Sequence, residues 1–185
     1  DKPGHLVDIP LIDVGTTGPT MLATSESGRL GDILDNGLAH YGAPALRIGD
    51  AVSRRWLAHA GNPYQHEIAA IARTAGRPGA YLLNLSYEWT CTTGAGPDPS
   101  GTGCRLLRTL DWPLDGLGRD VVVARQRTAA GETLNVTWPG FVGMVTAMAP
   151  GRFAAALNQP PMRRCTRACW SDWLINRGRL ARRAA

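Results

Sequence analysis

The feature that most constrains the fold is a turn signal, Asp98-Pro99-Ser100-Gly101, in the middle of the chain. Proline presets φ at the second position of such a turn, and glycine tolerates the last position. If the turn is centred there, the numbers of cross-strand partners sum to about 199, so Cys91 is predicted to face Arg108. A slip of one residue would send one of these side chains to the opposite face. The chain is therefore predicted to hold a β-hairpin with a thiol and a guanidinium on facing strands.

The same hairpin carries the groups of a candidate nucleophilic site. A guanidinium beside a thiol stabilises the thiolate, which is the nucleophilic form of cysteine. Asp111 lies an odd number of residues beyond Arg108, so a regular strand would point it to the other face. A site shared by all three groups therefore requires a bulge or a strand end near Thr109. Two simpler interpretations stay open: Cys91 as a small buried hydrophobe, and a disulfide with Cys104, which the expected register disfavours.

The residues around the thiol resemble a known enzyme family. Tyr87-Glu88 precedes Cys91-Thr92-Thr93, and Arg108-Thr109-Leu110-Asp111-Trp112 follows the turn. This pattern is similar to the acid ceramidase and N-acylethanolamine acid amidase group, which is related to the choloylglycine hydrolases. All of these are N-terminal-nucleophile (Ntn) amidases. Thr93 stands where the family pattern has Ser, and Thr109 stands where it has Asn.

A second block of matches extends the resemblance over roughly residues 80 to 160. Gly140-Phe141-Val142-Gly143 leads to Thr146, and Pro150-Gly151-Arg152-Phe153 leads to Leu157-Asn158. In the choloylglycine hydrolases, an Asn in such a Leu-Asn block helps to form the oxyanion hole. The ceramidase group carries an acidic pair there instead. The resemblance therefore implies an oxyanion role for Asn158.

The resemblance also implies a mechanism that starts with self-cleavage of the bond between Thr90 and Cys91. The uncut chain would be a zymogen, and the cut would free an α-amine that acts as the general base for its own thiol. Arg108 would contact the nucleophile or the substrate carbonyl, and Asp111 would orient the new amine. Asn158 would donate to the tetrahedral oxyanion. This chemistry requires no cofactor and no metal.

The activity implied is that of a hydrolase of linear amide bonds, with a fatty-acyl amide or another N-acyl lipid as substrate. The same machinery serves acyl transfer to an amine and hydrolysis of penicillin V, bile-salt amides or acyl-homoserine lactones, and the sequence does not rank these. An alternative from a different class is a non-catalytic homologue that binds a lipid or a protein partner. Replacement of Cys91 separates the classes, because only the enzyme depends on its thiol.

The chain is predicted to have an α+β fold in three segments. Residues 1–90 resemble the helical pro-region or small subunit of the family, ending in a strand. Residues 91–162 would begin the αββα sandwich of the Ntn hydrolases. The expected elements are an edge strand or arm in 1–20, helices near 27–42, 44–59 and 63–75, and strands near 80–89, 119–127, 132–138, 141–147 and 152–158.

Two residues that complete the site in the family have no counterpart in this chain. They are an Asn and an Arg that lie well downstream of the Leu157-Asn158 block. The resemblance therefore implies that the sandwich is incomplete here. Two interpretations stay open: a fragment whose site is completed by a downstream segment or a second chain, which is favoured, and a truncated homologue that no longer turns over.

Residues 163–185 form the third segment, which has the composition of a basic amphipathic helix. They include seven Arg against one Asp, with Trp and Leu interleaved. One interpretation is a helix that lies on an anionic membrane surface, and the simpler one is a helix whose Trp face packs on the domain. No nucleic-acid recognition motif accompanies the charge, so nucleic acid is not an expected partner. No run of eighteen apolar residues occurs, so no transmembrane helix is expected. A cytoplasmic location is favoured, and peripheral membrane contact belongs to the first of the two interpretations.

Overall fold

Helices dominate the first half of the chain and strands the second, as the computed structural model shows for residues 7–86, 90–112 and 114–158. The predicted α+β class is confirmed. The helices are α1 Pro19–Ser25, α2 Ser27–Tyr41, α3 Ala43–His59, α4 Gln65–Ala75, α5 Ala80–Leu85 and a short 3-10 helix at Leu117–Asp120. The strands are β1 Leu11–Gly15, β2 Thr90–Pro97, β3 Cys104–Asp111, β4 Val122–Thr128, β5 Gly131–Thr137, β6 Thr146–Ala149 and β7 Phe153–Ala156.

The three helices predicted from apolar periodicity are confirmed as α2, α3 and α4. Helix α2 buries Leu30, Ile33, Leu34 and Gly37, which lie on one face at helical spacing. Helix α4 ends at Gly76, whose φ of 65° is the left-handed conformation that glycine adopts without strain. Helix α1 was not predicted, because the glycines and the proline before it were interpreted only as a chain break. Proline is in fact well tolerated in the first turn of a helix, where α1 has it.

The strand predicted over residues 80–89 is wrong, because Ala80–Leu85 forms helix α5. Its first, fourth and fifth residues are buried, which is a helical pattern and not the alternation of a strand. A short apolar run cannot be assigned to helix or strand by periodicity alone. Residues 87–89 lie outside the described residues.

Five strands form one mixed sheet in the order β1-β4-β5-β6-β7. Strand β1 is parallel to β4 and lies at an edge, as predicted for the N-terminal segment, and the other pairings are antiparallel. The predicted hairpin between β4 and β5 is confirmed, with Thr128 paired to Gly131 around a two-residue turn. Strands β2 and β3 form a separate two-stranded sheet.

The segment before β6 is a loop, so the strand predicted over residues 141–147 is largely wrong. Asn84 of α5 holds this loop: its Nδ2 donates to the Gly140 carbonyl at 2.7 Å, and its Oδ1 accepts from the Val142 N–H at 2.8 Å. Asn84 is 5% exposed and also donates to the Ala80 carbonyl at 2.8 Å. The backbone bonds that a strand would have made are thus replaced by side-chain bonds, which no apolar pattern reveals.

The helices and the residues after the hairpin share one hydrophobic core. Leu34, Leu57 and Ile71 from three helices are almost fully buried in the same cluster as Trp138 and Phe141. The Trp138 ring packs 5.2 Å from that of Phe141 and meets the ring of Trp112 edge-on at 5.4 Å. The predicted pro-region is therefore packed into the same core as the segment that it precedes.

The predicted extension at residues 163–185 lies outside the described residues. Within residues 7–86, 90–112 and 114–158, no helix combines the length and the apolar character needed to cross a bilayer. The assignment of 1–90 and 91–162 to different parts of an Ntn precursor stays a prediction.

Candidate active site

The hairpin forms where its turn signal predicted it, but its register differs by two residues. Cys91 pairs with Leu110, and Arg108 pairs with Thr93, so the predicted pairing of Cys91 with Arg108 is wrong. The last pair of the ladder before the turn is Pro97 with Cys104, so the connection between the strands is longer than a tight turn. Because the shift is an even number of residues, the thiol and the guanidinium still share one face.

Arg108 contacts the thiol across this shared face. Its Nη2 lies 2.9 Å from Cys91 Sγ and donates to the Leu157 carbonyl at 3.1 Å. Its Nη1 donates to Thr146 Oγ1 at 2.7 Å. A fixed cation in this position stabilises a thiolate. The sequence therefore identified the right pair of side chains from a pairing that was two residues out.

Asn158 is linked to the strand of the thiol through Thr93. Thr93 Oγ1 donates to Asn158 Oδ1 at 2.7 Å, and the preceding Leu157 carbonyl lies 3.9 Å from Cys91 Sγ. With its carbonyl oxygen occupied, the Asn158 amide has its N–H groups left to donate. Thr93 was noted only as a departure from the family pattern. Its position two residues after Cys91 on one strand was the signal that it shares the face of the thiol.

Asp111 lies at the end of β3, where it pairs with Thr90. The ladder between β2 and β3 runs one-to-one with no shift, so the bulge expected near Thr109 is not formed. Alternation puts the Asp111 side chain on the face opposite the thiol, and the residue is exposed. Asp111 does, however, lie across from the peptide bond between Thr90 and Cys91. A backbone amine released there would not be restricted to either face.

Both cysteines of the hairpin are free, and a disulfide between them is not formed. Cys104 is exposed and pairs with Pro97, whereas Cys91 is half-buried against the core. In the part of the chain that the structure describes, no three His, Cys, Asp or Glu side chains cluster closely enough to hold a metal ion.

An ion pair braces the connection between the strands. Arg105 Nε donates to Asp98 Oδ2 at 2.8 Å, and the Ser100 N–H donates to Asp98 Oδ1 at 2.8 Å. The Arg105 hydrogen bond, with those from Ser100, lowers the pKa of Asp98 to about 2. The carboxylate therefore stays ionised throughout the mildly acidic and neutral range.

A cleft of about 270 Å³ with polar and apolar walls adjoins Arg108 and opens to solvent. Arg108, Asp115 and Thr146 form its polar part. Its apolar walls are Leu110, Trp112, Leu114, Leu117, Val121, Val136 and Trp138. This volume lies just below the range of about 300–1,000 Å³ that is typical of small-molecule sites. The sequence did not reveal this cleft, because it forms between the hairpin, β5 and an irregular connection.

Comparison with protein-family models gives no match, and comparison with curated protein sequences gives none either. The resemblance to the ceramidase-like amidases therefore stays a prediction. What the chain offers toward a function is the geometry around Cys91 and the adjoining cleft.

Proposed function

We propose that this chain is a cysteine Ntn amidohydrolase that cleaves the amide bond of N-acyl substrates after self-cleavage between Thr90 and Cys91. The observation that carries the proposal is the 2.9 Å contact between Arg108 Nη2 and Cys91 Sγ. Cys91 is the second residue of β2, and the carbonyl that its sulfur would attack belongs to Thr90, the first. The fold proposed with this function is an incomplete αββα sandwich.

Self-cleavage needs only groups of this chain and water. The Cys91 thiolate attacks the Thr90 carbonyl carbon, and collapse of the tetrahedral intermediate breaks the C–N bond. The nitrogen takes up a proton and becomes the α-amine of Cys91, while the Thr90 acyl group is held on sulfur as a thioester. Water then hydrolyses the thioester, which releases the Thr90 carboxylate and restores the thiol. Asp111, across the ladder from Thr90, is placed to orient the amine.

Amide hydrolysis repeats this chemistry on a substrate. The free α-amine takes the thiol proton as sulfur attacks the acyl carbonyl, and returns it to the departing amine. The Asn158 amide, whose carbonyl oxygen accepts from Thr93, donates toward the oxyanion. A donor of this kind typically lowers a barrier by ~3 kcal/mol. Arg108 stabilises the thiolate in both reactions.

The cleft supports an apolar acyl group as the part of the substrate that is recognised. Arg108, which contacts the sulfur, lines the cleft together with the Trp112 and Trp138 side chains. Each methylene of an unbranched acyl chain that is buried in such a site contributes about 0.8 kcal/mol to the binding free energy. A fatty-acyl amide is therefore the substrate class that we propose.

The proposal is tested by the intact mass of the purified protein, held for hours at mildly acidic and at neutral pH. Two fragments that meet between Thr90 and Cys91, with release of fatty acid from a panel of N-acyl amides, are expected. A single uncut mass at both pH values, with no fatty acid released by any member of the panel, would contradict it. That result would favour a binding role for the chain.

Acyl-chain selectivity is expected to follow the size of residue 136. Val136 lines the cleft from β5 and is 38% exposed, so a larger side chain fits there without disturbing the core. Val136→Trp should shorten the preferred acyl chain and lower kcat/KM for the longest substrate by about tenfold, since one or two methylenes lose their contacts. Val136→Ala should shift the preference the other way. Equal chain-length profiles for both variants and the wild type would show that the acyl group binds elsewhere.

A further inference from the structure

We propose that Thr146 is a positioning residue that sets the Arg108 guanidinium on the Cys91 sulfur. Thr146 begins β6 and is half-buried. Its Oγ1 accepts from Arg108 Nη1 at 2.7 Å. Among the described residues, Thr146 makes no hydrogen bond to the Cys91 sulfur. The catalytic part of this inference rests on the proposed function. The effect of Thr146 on the thiol can be tested without a substrate.

The argument begins with the shape of the guanidinium, which is planar and presents its N–H groups in fixed directions. Nη1 is bound to the Thr146 hydroxyl, and Nη2 is bound to the Leu157 carbonyl at 3.1 Å. With two corners of the plane fixed, the remaining freedom of the group is small. In this position Nη2 also reaches Cys91 Sγ at 2.9 Å.

One acceptor belongs to β6, and the other is the residue that follows β7. Thr146 pairs with Ala156 between β6 and β7, and Leu157 follows directly. The Leu157 N–H also donates to the Val145 carbonyl at 2.8 Å. The hydroxyl and the carbonyl that hold Arg108 are thus fixed relative to each other by the larger sheet. The hairpin supplies the guanidinium and the thiol, and the larger sheet determines how they meet.

Without the Thr146 hydroxyl, Nη1 would lose an acceptor in a half-buried position, where a charged donor needs one. The guanidinium would then turn toward the cleft, which it already borders, to reach water. Its Nη2 would leave the sulfur. We therefore expect the Cys91 thiol to react more slowly while the protein stays folded.

Thr146→Val removes the hydroxyl while it keeps the volume and the β-branching, and Thr146→Ser keeps the hydroxyl. At neutral pH, alkylation of Cys91 by iodoacetamide is expected to slow about tenfold in Thr146→Val, the effect of one hydrogen bond to a charged group. Thr146→Ser should stay within about threefold of the wild type. Alkylation of the exposed Cys104, followed in the same sample by peptide mass, should be equal in all three proteins. Self-cleavage and kcat should fall in parallel in Thr146→Val, with little change in KM.

Thr133→Val is a matched control, since its hydroxyl contacts the Gln126 carbonyl on the neighbouring strand. It should leave Cys91 alkylation unchanged. Equal alkylation of Cys91 in Thr146→Val and the wild type would overturn the inference, and so would equal slowing in the Val and Ser variants. If Thr146→Val fails to fold, Thr146→Ala tests the same loss. A wild-type chain that neither cuts itself nor releases fatty acid would contradict the proposed function alone, because alkylation still decides the role of Thr146.

Discussion

Replacement of Cys91 by alanine is expected to leave the chain as one uncut polypeptide and to abolish amide hydrolysis. In the proposed mechanism both reactions use the same sulfur, so a single substitution would remove both. Loss of a nucleophile lowers kcat by at least about a thousandfold in enzymes that form an acyl intermediate. Cys91→Ser should also be inactive within the hours of the assay, because the hydroxyl is the weaker nucleophile. Intact mass and fatty-acid release measure the two losses independently.

Cys104→Ala provides the matched control for this substitution. Cys104 is a free cysteine on the same hairpin, but it is exposed and lies at the opposite end of the ladder from Thr90. The Cys104→Ala variant should cut itself and hydrolyse substrate at the wild-type rate. Two fragments that still meet between residues 90 and 91 in Cys91→Ala would show that another group cuts the chain. Thermal unfolding should differ little between the two variants, since Cys91 is only half-buried.

Replacement of Asn84 by leucine is expected to cause a large loss of stability. Asn84 makes three buried hydrogen bonds, two of which hold the loop before β6 through Gly140 and Val142. Leucine has a similar volume but would leave a buried carbonyl and a buried N–H without partners. Each such group costs about 1–3 kcal/mol, so we expect a loss of about 3 kcal/mol in the free energy of unfolding. For a chain of this size the midpoint Tm should fall by roughly 6–12 °C.

Asn84→Asp separates the hydrogen bonds from the volume. A carboxylate can still accept from the Val142 N–H, but it cannot donate to the carbonyls of Ala80 and Gly140. It should therefore be at least as destabilising as leucine at neutral pH. Unfolding followed by circular dichroism measures both variants. A fall in Tm of less than about 2 °C in both would show that the loop does not depend on Asn84.

The parts of the fold that the sequence predicted are those set by local signals. Helix α2 carries Leu30, Ile33 and Leu34 at helical spacing, and Gly76 ends α4. The hairpin follows from the turn chemistry at Asp98-Pro99-Ser100-Gly101. In these segments the residues that determine the structure lie within a few positions of one another in the chain.

The parts that were missed depend on distant residues. The loop before β6 is held by Asn84, more than fifty positions earlier in the chain. The hairpin register is an exception with a local origin: the ladder ends at Pro97 and Cys104, so the connection is longer than the tight turn that was assumed. Thr146 and Leu157, which hold Arg108, come from another sheet. The candidate nucleophile could thus be predicted, but not the groups that orient it.

The shared core gives self-cleavage a consequence for refolding. Leu34 and Ile71 would lie on one fragment, and Trp138 and Phe141 on the other, yet they pack in a single cluster. The cut would therefore leave the folded particle intact while it removes the covalent link that brings the halves together during folding. Renaturation would change from a first-order process, independent of concentration, to an encounter between two chains whose yield depends on dilution. Self-cleavage would thus make unfolding harder to reverse, because the two fragments of a cut protein must find each other before they can refold.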